Sequence, residues 1–196
     1  MISVYQLKPK FQQLLRPLVN GLARKGITAN EVTVVAMLMS VITGVAIIIS
    51  NSILALLALP IILLIRMALN AIDGMLAREH QQQSRLGAFF NEIGDVISDL
   101  FLIIPLIIIP DINLWFLAAF AFTALLTEFA GILGVMVGTE RQYQGPMGKS
   151  DRALLIGLVG LLVPFVSVPA VYLNAVLVIA TALSVWTVIN RIRAAL

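Results

Sequence analysis

Six apolar runs, each near the length of helix that crosses a hydrocarbon core of about 30 Å, leave this chain few ways to fold. They lie near residues 32–49, 53–71, 88–109, 112–137, 153–168 and 170–188. With 60% hydrophobic residues and a mean hydropathy of +1.02, the 196-residue chain is too apolar for a soluble domain. Backbone in lipid must satisfy its own hydrogen bonds, so the runs read as helices and the fold as all-α, a polytopic membrane protein with six transmembrane helices. No internal repeat, low-complexity tract or linker divides it, and residues 1–196 read as a single integral-membrane domain. The sequence holds no cysteine, which excludes disulfides and thiolate metal sites.

Residues 1–27 lack the continuous apolar core and cleavage pattern of a signal peptide. Val4, Leu7, Phe11, Leu14, Leu15, Leu18 and Leu22 recur at three- and four-residue steps, with Lys8, Lys10, Arg16, Arg24 and Lys25 on the polar side. This predicts an N-terminal amphipathic helix, bent at Pro17, that lies in the membrane interface or packs on the protein's own cytosolic face. Thr28 followed by Glu31 is a capping-box pattern that starts the first span.

Charge placement orients the spans. Five of the thirteen Lys and Arg residues precede the first span. Arg78 and Arg85 lie between the second and third, Arg141, Lys149 and Arg152 between the fourth and fifth, and Arg191 and Arg193 after the last. The loops around Asn51, Pro110 to Asn113 and Ser167 carry none, so both termini face the cytoplasm, in keeping with a multi-pass protein of a bacterial inner membrane. The net charge of +3 resides in loops that meet anionic lipid and does not indicate nucleic-acid binding. Arg191 and Arg193 read as topological charges, and the lone His80 as a loop or helix-end residue.

Against this background the stretch from Asn70 to Asp99 puts polar groups where the membrane should be. Ionisable groups at that depth cost several kcal/mol unless paired, hydrated or bound to metal, so they mark a functional site by default. On a helix Asn70 and Asp73 sit about 60° apart, while Asn91, Asp95 and Asp99 drift only about 40° per four-residue step. Glu92 occupies a neighbouring stripe. Two helices facing along these stripes make a cage of oxygen ligands suited to Mg²⁺ or Mn²⁺. Gly74 and Gly87 leave room for a polyanion beside the cage, and Arg78 is placed to clamp a phosphate oxygen.

The pattern resembles the signature of the CDP-alcohol phosphotransferases, the CDP-alcohol phosphatidyltransferase class-I family. That signature runs Asp, two residues, Asp-Gly, two residues, Ala-Arg, eight residues, Gly, three residues, Asp, three residues, Asp. This chain matches in register at Asp73-Gly74, Ala77-Arg78, Gly87 and Asp95, and carries Asn70 and Asn91 at the first and third Asp positions. The run from Ile27 to Thr33 also resembles the family's entry into its first membrane helix.

The resemblance implies a metal site of Asn70, Asp73, Asn91, Asp95 and Asp99, and Asp95 or Asp99 as the base for the acceptor hydroxyl. It implies contacts from Gly74, Ala77, Arg78 and Gly87 to a CDP donor such as CDP-diacylglycerol, and from Lys149 and Arg152 to the acceptor. The reaction implied is transfer of a substituted phosphoryl group to a hydroxyl with release of CMP, by a homodimer, with the acceptor unspecified. Amides bring oxygen without charge, so Asn70 and Asn91 weaken or reduce metal binding, and Asp99 and Glu92 stand close enough to compensate. A catalytically weakened CDP-lipid-binding protein and a cation-coupled transporter remain as alternatives. Arg66 reads as neutralising the carboxylates or touching substrate, and Glu128 as a cavity residue or the partner of Arg66.

Overall fold

The computed structural model describes residues 4–166 and 168–196, with side chains from residue 11 onward. Ser167 and the side chains of Val4, Leu7, Lys8 and Lys10 therefore lie outside the described residues. Seven α-helices follow one another among them: α1 Val4–Arg24, α2 Ala29–Ser50, α3 Ala58–Glu79, α4 Arg85–Ile103, α5 Leu114–Met136, α6 Lys149–Leu162 and α7 Ala170–Ala195. Short 3₁₀ segments, Ile53–Leu57 and Ile104–Ile108, precede α3 and extend α4.

Local chemistry sets the helix starts. The capping box read at Thr28 is present: Thr28 Oγ1 accepts from the Glu31 amide, and Glu31 Oε2 accepts from the Thr28 amide at 2.7 Å. Ser84 caps α4 by accepting from the Gly87 amide at 2.9 Å, and Asn113 caps α5 by accepting from Trp115 and Phe116. At the start of α6 the Asp151 carboxylate accepts from the Gly148 amide at 2.9 Å.

The helices pack through small residues. A Cβ on Gly44 of α2 would overlap the Phe101 carbonyl oxygen of α4, so the two backbones touch there. A Cβ on Gly160 of α6 would lie 2.7 Å from the Leu56 carbonyl oxygen. The main apolar core joins Leu59, Leu102, Leu106, Phe120, Ile156 and Leu177, and α5 lies along α7 beside it.

A second, smaller core fixes α1. Val19 is fully buried against Ile72, Met75 and Leu76 of α3, while Leu14 remains 76% exposed. Helix α1 continues through Pro17 and packs along α3. Its packing on the protein leaves one apolar edge, Leu14 and Leu18, uncovered. His80 ends α3 and its Nε2 lies 3.2 Å from Asn20 Oδ1, a helix-end tether as the sequence suggests.

Four helical segments are long and apolar enough to cross a membrane: Ala29–Ser50, Ile53–Glu79, Leu114–Met136 and Ala170–Ala195. The other two predicted spans differ for separate reasons. Helix α4 holds Arg85, Glu92, Asp95 and Asp99 within its 19 residues. Helix α6 has 14 residues, about 21 Å, and stops at Leu162 rather than continuing to 168.

Candidate active site

The site lies across the later turns of α3 and the earlier turns of α4, both of which pack on α2, with the start of α6 closing one side. Helix α3 delivers Arg66, Asn70, Asp73, Gly74 and Arg78, and α4 delivers Asn91, Glu92, Asp95 and Asp99. Asp73 is buried and accepts a hydrogen bond from Thr33 Oγ1 of α2 at 2.8 Å. Asp95 and Lys149 stand near enough to act on its charge. Thr33 closes the run from Ile27 that resembles the family's first helix entry, but its bond to Asp73 depends on α2 lying beside α3, which no local pattern reports.

From Asp95 a continuous chain of ion pairs runs into the protein. Asp95 Oδ1 accepts from Lys149 Nζ and from Arg66 Nη2, the latter at 3.1 Å. Arg66 Nη1 donates to Asp99 Oδ1 at 2.6 Å, and Arg152 Nη2 donates to Asp99 Oδ2 and to Glu128 Oε1, each at 2.8 Å. Arg141 bridges Glu128 Oε2 and Glu92 Oε1. Arg191 Nη1 donates to the Thr127 carbonyl and lies 3.6 Å from Glu128 Oε1. Charges buried this deeply persist only when paired and hydrogen-bonded, and each of these cations meets a carboxylate.

Several sequence readings are corrected by this arrangement. Asp99, read as a metal ligand or base, has each oxygen bound by an arginine, Oδ1 by Arg66 and Oδ2 by Arg152. Arg152, read as an acceptor contact, is 1% exposed and bonded to Asp99, Glu128, Thr127 Oγ1 and the Met147 carbonyl. Arg191, read as topological, is 2% exposed and internal. Glu128 pairs with Arg141, Arg152 and Arg191, not with Arg66, because Arg66 is taken up by Asp95 and Asp99. Arg141 was a loop charge in the sequence, and nothing local marks it as the bridge between two acids.

The remaining motif residues are differently placed. A Cβ on Gly74 would lie 3.1 Å from Arg78 Nη2, so the absent side chain lets the Arg78 guanidinium fold back over α3. Arg78 is exposed and makes no ion pair among the described residues. Gly87 faces α2, where its Cβ would lie 2.6 Å from Asn30 Oδ1, and Ala77 packs with the small core under α1. The side chains of Asn70 and Asn91 are only partly covered and hydrogen-bond to nothing among the described residues.

Beside the site a groove of about 520 Å³ runs between α3 and α6. Arg66, Asn70, Lys149 and Ser150 form its polar end, and Pro60, Leu63, Leu64, Leu154, Leu158 and Leu161 its apolar walls.

Among the described residues no three His, Asp or Glu side chains gather in a way that would hold a metal ion by themselves. The donors at the motif are the two carboxylates Asp73 and Asp95, the latter with Oδ2 free of protein partners, and the unpartnered amides of Asn70 and Asn91. Mg²⁺ is commonly held by one or two carboxylates with substrate phosphates and water completing the shell. These oxygen donors are of the kind that suits a hard divalent cation whose shell substrate phosphate and water complete.

The helical fold and the position of these residues define a class of membrane transferase. The chain belongs to the CDP-alcohol phosphatidyltransferase family, whose model matches residues 26–186. It is 46% identical over 195 residues to the inner membrane protein YnbA of Escherichia coli (strain K12), covering 100% of this chain and 97% of that one. Over 94 residues, 48% of each chain, it is 34% identical to the archaetidylinositol phosphate synthase of Pyrococcus horikoshii. Among solved structures, the Mycobacterium tuberculosis phosphatidylinositol phosphate synthase PgsA1 with CDP-DAG bound superposes with a TM-score of 0.77 at 19% identity, covering 93% of this chain and 94% of that one. The same enzyme with manganese and citrate gives 0.75 at 20% identity, covering 91% and 87%. At these identities the likeness is one of fold.

Proposed function

We propose that this chain transfers a substituted phosphoryl group from a lipid-linked CDP-alcohol, CDP-diacylglycerol in the first instance, to an acceptor hydroxyl and releases CMP. The observation that carries the reading is the α3/α6 groove, whose apolar walls end at Asn70 and Lys149 beside Asp95. A donor with acyl chains and a pyrophosphate requires that sequence of environments: apolar length, then a cationic and amide end. The family, and the CDP-DAG bound by PgsA1, support the same donor.

Each residue has a part in this reading. Arg78, unpaired and folded over Gly74, donates to the donor's phosphates, and the missing side chain of Gly74 leaves it room beside α3. Asp73 and Asp95, with the amide oxygens of Asn70 and Asn91, hold one Mg²⁺ or Mn²⁺, a choice supported by the manganese in PgsA1. When bound, that ion neutralises the pyrophosphate and stabilises CMP as it leaves. Asp95 takes the proton of the acceptor hydroxyl through Oδ2, and Lys149 and Arg66 fix its carboxylate by holding Oδ1. Lys149 and Arg66 also face the charge of the donor at the groove's polar end.

The membrane placement belongs to the same reading. All six helices from α2 to α7 traverse a bacterial inner membrane, as the name of the Escherichia coli relative supports, with the site and both termini cytoplasmic. Helix α4 joins them by turning its carboxylates inward and Leu86, Phe89 and Ile93 outward to lipid or to a second copy in a homodimer. The exposed edge of α1 at Leu14 and Leu18 rests in the interface, and residues 1–196 act as one domain.

Purified protein incubated with CDP-diacylglycerol, Mg²⁺ or Mn²⁺ and a panel of hydroxyl acceptors tests the proposal. Metal-dependent CMP release that needs an acceptor supports it. A weakened enzyme is the second reading, motivated by the amides at 70 and 91. CDP-diacylglycerol binding without CMP release, recovered on restoring Asn70→Asp and Asn91→Asp, favours that reading over the first.

A further inference from the structure

We propose that Lys149 and a divalent cation compete for the Asp95 carboxylate, so that the cation binds together with the donor's pyrophosphate rather than ahead of it. The inference rests on the donor site assigned above and adds the order in which that site fills.

Asp95 Oδ1 faces two cations that differ in their freedom to leave it. Arg66 is 4% exposed and locked in place. Its Nη2 donates to Asp95 Oδ1 and to the Asp95 carbonyl, each at 3.1 Å, and its Nη1 donates to Asp99 Oδ1 at 2.6 Å. Lys149, the first residue of α6, has a side chain 32% exposed and meets a carboxylate only at Asp95 Oδ1 among the described residues, with Nζ 2.5 Å away. An ammonium on a flexible stem has three N–H donors, so Lys149 keeps capacity beyond this one contact. It also lines the polar end of the α3/α6 groove with Arg66, Asn70 and Ser150. Nζ can therefore turn from Asp95 to an anion in the groove without leaving the site.

Charge decides the order. The motif brings two carboxylates, Asp73 and Asp95, and uncharged amides at positions 70 and 91. Asp73 feels the charges of Asp95 and Lys149, and through Asp95 it joins a wider network. There Arg66, Arg141, Lys149, Arg152 and Arg191 stand against Asp73, Glu92, Asp95, Asp99 and Glu128, five charges of each sign among the described residues. A divalent cation entering alone adds positive charge to a set that is already neutral, beside an ammonium in contact with the carboxylate it needs. Such like charges repel strongly even at an effective dielectric of about 20. The pyrophosphate of a CDP-alcohol carries a negative charge on each phosphate. It offsets the ion, completes its shell with oxygens and gives Lys149 an anion to turn to. By linkage, the cation and the nucleotide then raise each other's affinity by the same factor.

Equilibrium dialysis of the full-length protein in mild detergent tests this, with MnCl₂ as the probe and CDP as a soluble pyrophosphate. Protein-bound manganese is counted at matched free metal, with and without CDP. The unaltered protein is expected to bind manganese about tenfold or more tightly when CDP is present. Lys149→Met, which keeps the stem and removes the charge, is expected to bind manganese alone about tenfold or more tightly than the unaltered protein and to gain less from CDP. A lysine that only supports the fold predicts a loss of metal affinity, or no change.

Equal manganese affinity with and without CDP overturns the inference and leaves the transferase reading intact, as does a folded Lys149→Met protein with no gain for the metal alone. No manganese bound under either condition overturns the inference and the metal-dependent reading of the site together. If Lys149→Met does not fold, Asn70→Asp with Asn91→Asp adds the missing negative charge instead and is expected to bind manganese without CDP. Failure of that folded variant to do so also overturns the inference.

Discussion

Two polar regions share the interior of this bundle and differ in what their atoms have left to do. Around Asn70, Asp73, Arg78 and Asn91, the amides and the guanidinium have no ion-pair or hydrogen-bond partner among the described residues. Around Asp99, Glu128, Arg152 and Arg191, nearly every charged atom is held, and most of these side chains are almost fully buried. The first region keeps polar atoms without protein partners; the second uses its own to join α4, α5, α6 and α7. Asp95 stands at the boundary, with Oδ1 in the ion-pair chain and Oδ2 outside it. Depth in the membrane segment therefore does not by itself separate a reactive charge from a structural one; the state of its partners does.

Mutations sort along that line. Asp95→Asn is expected to have the largest effect, lowering CMP release by about a thousandfold while the protein still purifies folded. An equal loss of activity for Asp99→Asn without loss of stability would erase the distinction between the two carboxylates. Glu128→Ala, which leaves three arginines without their shared partner, is expected to cost about 3 kcal/mol or more of stability, read as a fall in folded yield and in the denaturation midpoint in mild detergent. Gly44→Ala forces a methyl group onto the Phe101 carbonyl and is expected to cost about 1 to 3 kcal/mol in the same assay, with CMP release per folded molecule retained. Gly74→Ala displaces the Arg78 guanidinium and is expected to raise KM for the CDP donor several-fold with no shift in the denaturation midpoint. Arg16→Ala, which breaks the exposed pair with Glu79, is expected to change neither readout measurably.

How much of this was legible in the sequence follows from how far each kind of information reaches. Apolar runs, the Thr28 capping box and the Asp73-Gly74, Ala77-Arg78, Gly87, Asp95 spacing are local patterns, and they gave the helical class and the family. Pairing is not local. Arg66 meets Asp99 across 33 residues, Arg152 meets Glu128 across 24, and Arg191 meets Thr127 across 64. No periodicity reports such a distance, so from the sequence Arg191 reads as an orienting charge although it is buried. The runs at α4 and α6 differ from the other four: α4 has the length but carries charge, and α6 has the composition but is short. The proposed role of Lys149 sits between these cases, since its place at the start of α6 was readable and its bond to Asp95 was not.

The ion-pair chain also sets an order for assembly. Helix α4 emerges from the ribosome with two carboxylates whose earlier partner, Arg66, is already made but whose later partners, Lys149 and Arg152, are not. Glu128 gains Arg141 and Arg152 first and Arg191, at 3.6 Å, last. Each uncompensated charge in a bilayer costs about 2.5 to 3.5 kcal/mol on the insertion scale, so the half-made chain holds its acids in an unfavourable setting until Arg141, Lys149 and Arg152 join them. Lateral release of the early helices into lipid as finished, independent units is therefore disfavoured until α6 has joined them.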